Sequence, residues 1–336
     1  MHFHFSSRFI LPAFFLLAGL PTALSAQTTA APAYGIVSLS ANFMREKPDY
    51  DQELGNQALM GTVVTISDKQ GYWLKITSPD PYTAWVNEKG IALKTQEEIR
   101  QWLLSDRVIC VADYTHVYRD ADPDSPRISD LSRGGILGKR TGKNGRALKK
   151  KGYLGVTLPD GRTGWVRKQD AEDLRNWVDS RQLTQDNIVR EALRYVGMPY
   201  LWGGAAVGGL DCSGLTRMVF YMNGLLLPRN ASQQARCGMA IDTEGVRQGD
   251  YSSLERGDLL FFGNRDTGRV THVGIYIGGG RMVHASQVVR VNSLDPSQKD
   301  YYENAGRLLF GRRIAGHEKD FPGTAWLRES PFYFPN

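Results

Sequence analysis

The chain reads as an α+β protein in which two small all-β units stand ahead of a mixed helix-and-strand domain. Three observations carry that reading. Tyr82-Thr-Ala-Trp85-Val-Asn-Glu88 is echoed by Arg162-Thr-Gly-Trp165-Val-Arg-Lys168, so one short hairpin is written twice. From Ile188 the apolar spacing becomes helical, with Ala192, Tyr195 and Val196 on the same face. Val270 to Ile277 then alternates, and Gly278-Gly-Gly280 turns it back into a second strand. With 336 residues, 41% of them hydrophobic and 23% charged, the chain has material for two or three such globular units.

Residues 1–26 stand apart. Arg8 precedes an apolar run from Phe9 to Leu20, followed by small residues at Ala23, Ser25 and Ala26. This pattern predicts a secretory signal cleaved near Ser25 or Ala26, and with it a periplasmic or secreted protein. The run is too short, and is interrupted by Pro12, for a membrane span, and no later segment resembles one. Export would place Cys110, Cys212 and Cys237 in an oxidising compartment, where an odd count leaves at least one thiol without an intramolecular partner. Cys110 and Cys237 could pair with each other, and the plainer reading is two buried thiols.

The all-β region divides into residues 34–104 and 105–175. In each part a strand-like stretch, Trp73-Leu-Lys-Ile-Thr77 or Tyr153-Leu-Gly-Val-Thr157, leads through a turn at Pro79-Asp-Pro or Pro159-Asp-Gly into the repeated hairpin. Asn42 to Pro48 and Val117 to Asp120 take matching places upstream. The units join around the helical-looking Thr95 to Leu104, and a second helical linker spans about Gln169 to Arg181. A third domain, 182–315, opens with a helix capped by Thr184 or Asp186 and ended by Gly197 and Pro199. The tail, 316–336, carries Phe321, Trp326, Phe332, Tyr333 and Phe334, and so aromatic an end is expected to pack on a domain surface.

The formal charge is +6. Its densest part, Lys139-Arg140, Lys143, Arg146 and Lys149-Lys150-Lys151, lies among glycines and reads as a solvated face, with a contact for an anionic polymer or peptide as the alternative. So modest a charge without a recognition motif argues against a nucleic-acid partner.

Chemistry concentrates in the third domain. Asp211 can cap a helix in which Leu215, Met218, Val219 and Met222 recur at helical spacing, which puts Cys212 in the first turn. The free N–H groups and the dipole there favour thiolate, the attacking species. His272 and His284 lie on the two strands of the predicted hairpin. A loop of three or five residues puts them on one face, opposite or one diagonal step apart, whereas a two-residue turn separates them. His272 could then accept the thiol proton and return it to a leaving amine, with His284 holding its ring in the useful tautomer. Taken singly, each histidine reads equally as a satisfied polar residue on a strand. Neither Cys-x-x-Cys nor His-x-x-x-His occurs, so no metal is expected, and no cofactor.

At these residues the chain resembles the NlpC/P60 cysteine peptidases, papain-like enzymes that cut bacterial cell-wall peptides. The matching stretches are Gly197-Met-Pro-Tyr200-Leu-Trp-Gly-Gly204, Leu210-Asp-Cys-Ser-Gly-Leu215, Pro228-Arg-Asn-Ala-Ser232-Gln-Gln234, Arg256-Gly-Asp-Leu-Leu-Phe261, His272-Val-Gly-Ile-Tyr276 and Val283-His-Ala285. The resemblance implies Cys212 as nucleophile, His272 as base and acid, and His284 as third member. It implies that the Tyr200 hydroxyl and the backbone N–H of Cys212 hold the oxyanion, and that Asp211, Ser213 and Ser232 line the groove. Asp211 is then either the partner of a substrate amine or simply a helix cap.

The upstream units resemble bacterial SH3 (SH3b) domains. The order SH3b, SH3b, NlpC/P60 is similar to that of exported γ-D-glutamyl-L-diamino-acid endopeptidases. Those cut between D-glutamate and the diamino acid, diaminopimelate for example, in peptides that begin with free L-alanine. In them the first SH3b domain walls off the groove, and Glu88, Tyr114 and Tyr118 are the candidates for that wall here. The rival expectations are an autolysin that grips intact peptidoglycan and a non-catalytic wall-binding protein. The presence of Cys212, His272, His284 and Tyr200 together argues against the second. Acyl transfer to an amine would use the same thioester.

Overall fold

Short apolar strands broken by tight turns build two antiparallel sheets before any long helix appears. In the computed structural model, which describes residues 33–320 and 323–335, the first sheet holds β1 (Ala33–Val37), β2 (Ala41–Arg45), β3 (Leu54–Leu59), β4 (Val63–Gln70), β5 (Trp73–Thr77), β6 (Thr83–Asn87) and β7 (Ile91–Lys94). The predicted signal segment and Phe321 lie outside the described residues. Strand order is β3-β2-β6-β5-β4-β1-β7. Alternation sends Val37, Met44, Val64, Leu74, Ile76 and Val86 into one core.

The second sheet holds β8 (Arg107–Cys110), β9 (Tyr114–Tyr118), β10 (Arg127–Ser132), β11 (Ile136–Lys139), β12 (Lys149–Lys150), β13 (Tyr153–Thr157), β14 (Thr163–Arg167) and β15 (Ala171–Asp173). Its order, β10-β9-β14-β13-β11-β8-β15, repeats the first position for position, with β12 added beside β13. The repeated hairpins share one register: Thr77 faces Thr83 and Trp73 faces Asn87, as Thr157 faces Thr163 and Tyr153 faces Arg167. Between the sheets, helix α1 (Gln96–Leu104) starts in a capping box in which Thr95 and Glu98 hold each other's backbone N–H, at 2.8 and 3.2 Å. Its Ile99 and Leu103 bury against Ile36 and Val63.

After α2 (Leu174–Asp179) comes α3 (Gln185–Arg194), capped by Thr184 rather than Asp186. The short pair β16 (Ala205–Ala206) and β17 (Gly209–Leu210) leads into α4 (Cys212–Met222), which is followed by β18 (Leu225–Leu226) and α5 (Ala231–Gln234). A six-stranded sheet then forms from β19 (Met239–Ile241), β20 (Leu259–Gly263), β21 (Val270–Gly278), β22 (Arg281–Ser286), β23 (Val288–Ser293) and β24 (Leu308–Arg313), in the order β19-β24-β20-β21-β22-β23. One face of it, with Val273, Ile275, Val283 and Ala285, shares a core with Leu215, Met218 and Val219 of α4.

The barrels are fastened to this domain by polar contacts that apolar burial shields from water. Asp80 pairs with Arg217 of α4 at 2.9 Å, and Ala205 N–H donates to Gln57 Oε1 at 2.9 Å. The Tyr221 hydroxyl donates to the Gly134 carbonyl at 3.0 Å, and Arg133 forks onto Glu191 at 2.8 and 2.9 Å. Gly203 (φ +74°) sits so close to β3 that a Cβ there would lie 2.0 Å from the Leu54 carbonyl oxygen.

The tail docks as expected. β25 (Ala325–Trp326) pairs with β18, Arg107 donates to the Tyr333 carbonyl at 2.5 Å, and the Arg107 and Arg175 guanidinium groups lie 5.4 and 5.1 Å from the Phe334 ring centre. Cys110 packs in the core of the second sheet and Cys237 in that of the third domain, and no disulfide joins them. Lys143, Arg146 and Lys149 to Lys151 are all exposed.

Candidate active site

Asp211 shows why α4 begins where it does. Its Oδ1 accepts from Gly214 N–H at 2.7 Å, which makes it the N-cap and places Cys212 first in the helix. The same carboxylate accepts from Gly203 N–H at 3.0 Å and from both Arg229 amino groups at 3.1 and 2.5 Å. Arg229 is only 1% exposed and also donates to Ser213 Oγ at 2.9 Å. With its oxygens occupied in this way, Asp211 borders the cleft as cap and counter-ion.

The two histidines meet through a detail of strand pairing. Gly278 faces Arg281 across a two-residue turn, Gly279-Gly280, which by itself would put the rings on opposite faces. A bulge at Ile277 restores the parity, so that Tyr276 faces Met282 and Ile275 faces Val283. His272 and His284 then lie one diagonal step apart, with Nε2 of His272 2.8 Å from Nδ1 of His284. His284 Nε2 lies 2.8 Å from Asn292 Oδ1, and Asn292 Nδ2 donates to the Asp300 carbonyl at 2.6 Å. The Tyr302 ring closes over both, its centre 4.7 Å from that of His284 and 5.8 Å from that of His272.

Burial sets the electrostatics. It pushes the Cys212 thiol up to about 11, and the neighbouring Asp211 carboxylate adds to the rise. Backbone hydrogen bonds with Val273 and Ser213, and the Arg229 charge, act the other way. Burial also pulls His272 down to about 3, helped by His284, and His284 down to about 4, against the Asn292 hydrogen bond. The helix-start reasoning that favoured thiolate is therefore outweighed by desolvation, and the resting site holds a neutral thiol beside neutral imidazoles.

These shifts carry a consequence for stability. An unfolded histidine titrates near 6.5, so between that value and about 4 the unfolded chain binds protons that the folded chain refuses. Stability should therefore fall as pH drops from about 6.5 toward 4. Urea unfolding across this range is expected to show a flatter profile in a His272→Gln/His284→Gln variant; an equal slope in both proteins would show that the rings are not buried neutral.

Cys212, His272, Tyr200, Ser213 and Ser232 line one cleft of about 510 Å³, with Trp202, Arg229 and Arg269 beside them. Burial, then the neighbouring Cys212 and Asp211, push the Tyr200 hydroxyl up to about 12, so it is a proton donor throughout the physiological range. The first barrel closes the cleft with Glu46, Glu53, Gly55 and Tyr82. Gly55 lies against Tyr82, whose ring would have to shift for a larger residue, since a Cβ there would lie 2.0 Å from its hydroxyl. Both glutamates are exposed, and neither takes part in an ion pair among the described residues.

The residues expected to form that wall stand elsewhere. Glu88 is tied to Lys69 at 2.8 Å. Tyr114 is 53% exposed with its ring against His116, and Tyr118 is buried with Ala121, Tyr153 and Trp165. None of the three lines the cleft that holds Cys212 and His272. The wall comes from the segment between β2 and β3 and from the turn before β6, because these abut the Tyr200–Gly204 stretch. The run Glu46 to Glu53, rich in charge and turn formers, was its visible signal.

Comparison with known proteins follows the same division of the chain. The NlpC/P60 family model matches residues 197–307, and the bacterial SH3 domain model matches residues 40–92, within the first barrel. A Bacillus cereus protein named gamma-D-glutamyl-L-lysine dipeptidyl-peptidase is 30% identical over 272 residues, 76% of each chain. A Bacillus subtilis protein of the same name is 29% identical over 261 residues, 71% of this chain and 77% of that one. The crystal structure of a Bacillus cereus NlpC/P60 family protein superimposes with a TM-score of 0.70 at 24% identity, over 84% of this chain and 99% of that one, so the fold is shared across barrels and third domain. A relative this similar over three quarters of both chains, together with the family match across the cysteine and histidine strands, makes this chain a member of the NlpC/P60 family of cysteine peptidases.

Proposed function

We propose that the chain is an exported endopeptidase that hydrolyses the γ-D-glutamyl–diamino acid bond of cell-wall peptides whose N-terminal L-alanine is free. The observation that carries this reading is the walled cleft. Glu46, Glu53 and Tyr82 of the first barrel line it together with Cys212, so they limit the room for a bound peptide beyond its N-terminus, and two carboxylates outside any ion pair are there to receive an ammonium. The names of the Bacillus relatives support the same bond. Export rests on the pattern of residues 1–26; among the described residues no helix is long and apolar enough to cross a membrane.

The chemistry follows from the neutral resting pair. Cys212 Sγ attacks the γ-carbonyl carbon of D-glutamate while its proton passes to His272, so thiolate forms only as the S–C bond forms. The carbonyl oxygen gathers negative charge between the Tyr200 hydroxyl and the Cys212 backbone N–H. Collapse breaks the C–N bond, and the diamino acid's nitrogen leaves with the proton from His272. Water, deprotonated by His272, then attacks the thioester, and the thiol is restored when that proton returns to sulfur. Ser213 and Ser232 offer hydroxyls on the cleft wall to the rest of the D-glutamyl unit.

Soluble substrate against polymer tests this reading. L-Ala-γ-D-Glu-diaminopimelate is expected to be cut at the γ-glutamyl bond, while intact sacculi release no soluble fragments. Release from sacculi at a comparable rate would require an open groove and an autolysin instead.

A further inference from the structure

We propose that Asn292 and the Asp300 carbonyl form a tautomer clamp that sets which nitrogen of His272 is free to act as the base. The inference rests on the catalytic reading given to His272. A backbone carbonyl can only accept a hydrogen bond, so the Asn292 atom 2.6 Å from the Asp300 oxygen is the NH₂ group. The amide oxygen therefore faces His284, and since it too can only accept, His284 Nε2 carries a proton. His284 is neutral, which leaves Nδ1 as a lone pair 2.8 Å from His272 Nε2. His272 Nε2 must then donate. Its one remaining nitrogen, Nδ1, keeps the lone pair that can take the thiol proton.

The series starts from a main-chain atom that cannot change its role, and the burial of His284 disfavours a second proton on its Nδ1. Were Asn292 unable to accept, His284 could carry its proton on Nδ1, point it at His272, and drive the His272 proton onto the nitrogen needed as base. Asn292 is a positioning residue: it touches His284 and Asp300, and it is not among the residues lining the cleft. It is 8% exposed, and Arg281 pairs with Asp300 beside it, which fixes the segment that presents the carbonyl.

The test reads the tautomers themselves. Nitrogen-15 shifts of the full-length protein at pH 7 are expected to show His272 and His284 both protonated at Nε2. Asn292→Leu, similar in shape without an acceptor, is expected to populate the Nδ1–H form of His284 and lower kcat on the order of 100-fold, with KM changed less than about twofold. Asn292→Asp still accepts from His284 Nε2 but brings a charge that favours a second proton on that ring, so an Nδ1–H signal is expected at His284 there as well. Nδ1–H at His284 in the wild-type protein, or unchanged tautomers and kcat in Asn292→Leu, would overturn the proposal. If Asn292→Leu does not fold, the wild-type shifts and Asn292→Asp still decide. Activity surviving in His272→Gln would instead remove the catalytic reading, on which the nitrogen shifts do not depend.

Discussion

Cys212→Ala is expected to lower kcat by about 10⁴-fold or more while leaving the fold intact, because the alanine protein has no atom that can form the thioester. The thiol at rest is neutral, and its loss breaks no ion pair, so stability should change by only about 1 kcal/mol. The carboxylate, guanidinium and hydroxyl network of Asp211, Arg229 and Ser213 stays in place beneath it. Chromatographic assay of the released diamino acid, alongside circular dichroism of the same sample, separates loss of chemistry from loss of structure. A variant that still cleaves at wild-type rate would exclude Cys212 as nucleophile. Iodoacetamide adds a second view: since burial raises the thiol to about 11, alkylation should be slow at pH 7 and accelerate in alkaline solution.

What the sequence exposes, and what it hides, depends on whether the decisive contact is local. The repeated Trp85 and Trp165 hairpins announce a duplicated unit because both halves of each hairpin lie within 15 residues. The rest of the duplication is kept in strand order rather than in residue identity, and emerges only when both sheets are traced. Asp211 is legible as a cap for the same local reason, whereas its pairing with Arg229 is not, since that depends on how the α4 start meets the following loop.

The histidine hairpin sits between these cases. Three consecutive glycines allow more than one turn, and only the bulge at Ile277 decides that His272 and His284 share a face. Asn292 escapes a sequence reading because asparagine is ordinarily a turn or cap residue, and nothing within β23 signals that its amide meets a histidine on the next strand. The cleft wall is the least legible part. Glu88, Tyr114 and Tyr118 were the candidates, whereas Glu46, Glu53 and Tyr82 are the residues of the first barrel that line the cleft. The thiolate expectation meets a related limit: a helix start can be recognised locally, but the burial that opposes thiolate comes from residues far along the chain.

One peptide in two forms probes the walled cleft most directly: L-Ala-γ-D-Glu-L-Lys with its alanine α-amine free and with that α-amine acetylated. Acetylation removes the charge and adds bulk where Glu46, Glu53 and Tyr82 stand. Losing two charge-assisted contacts is worth about 3 kcal/mol, so kcat/KM should fall at least about 100-fold. In a Glu46→Gln/Glu53→Gln variant the free peptide should lose most of that advantage. Equal kcat/KM for the two peptides in the wild-type protein would mean that the first barrel does not make this cleft a site for a chain end.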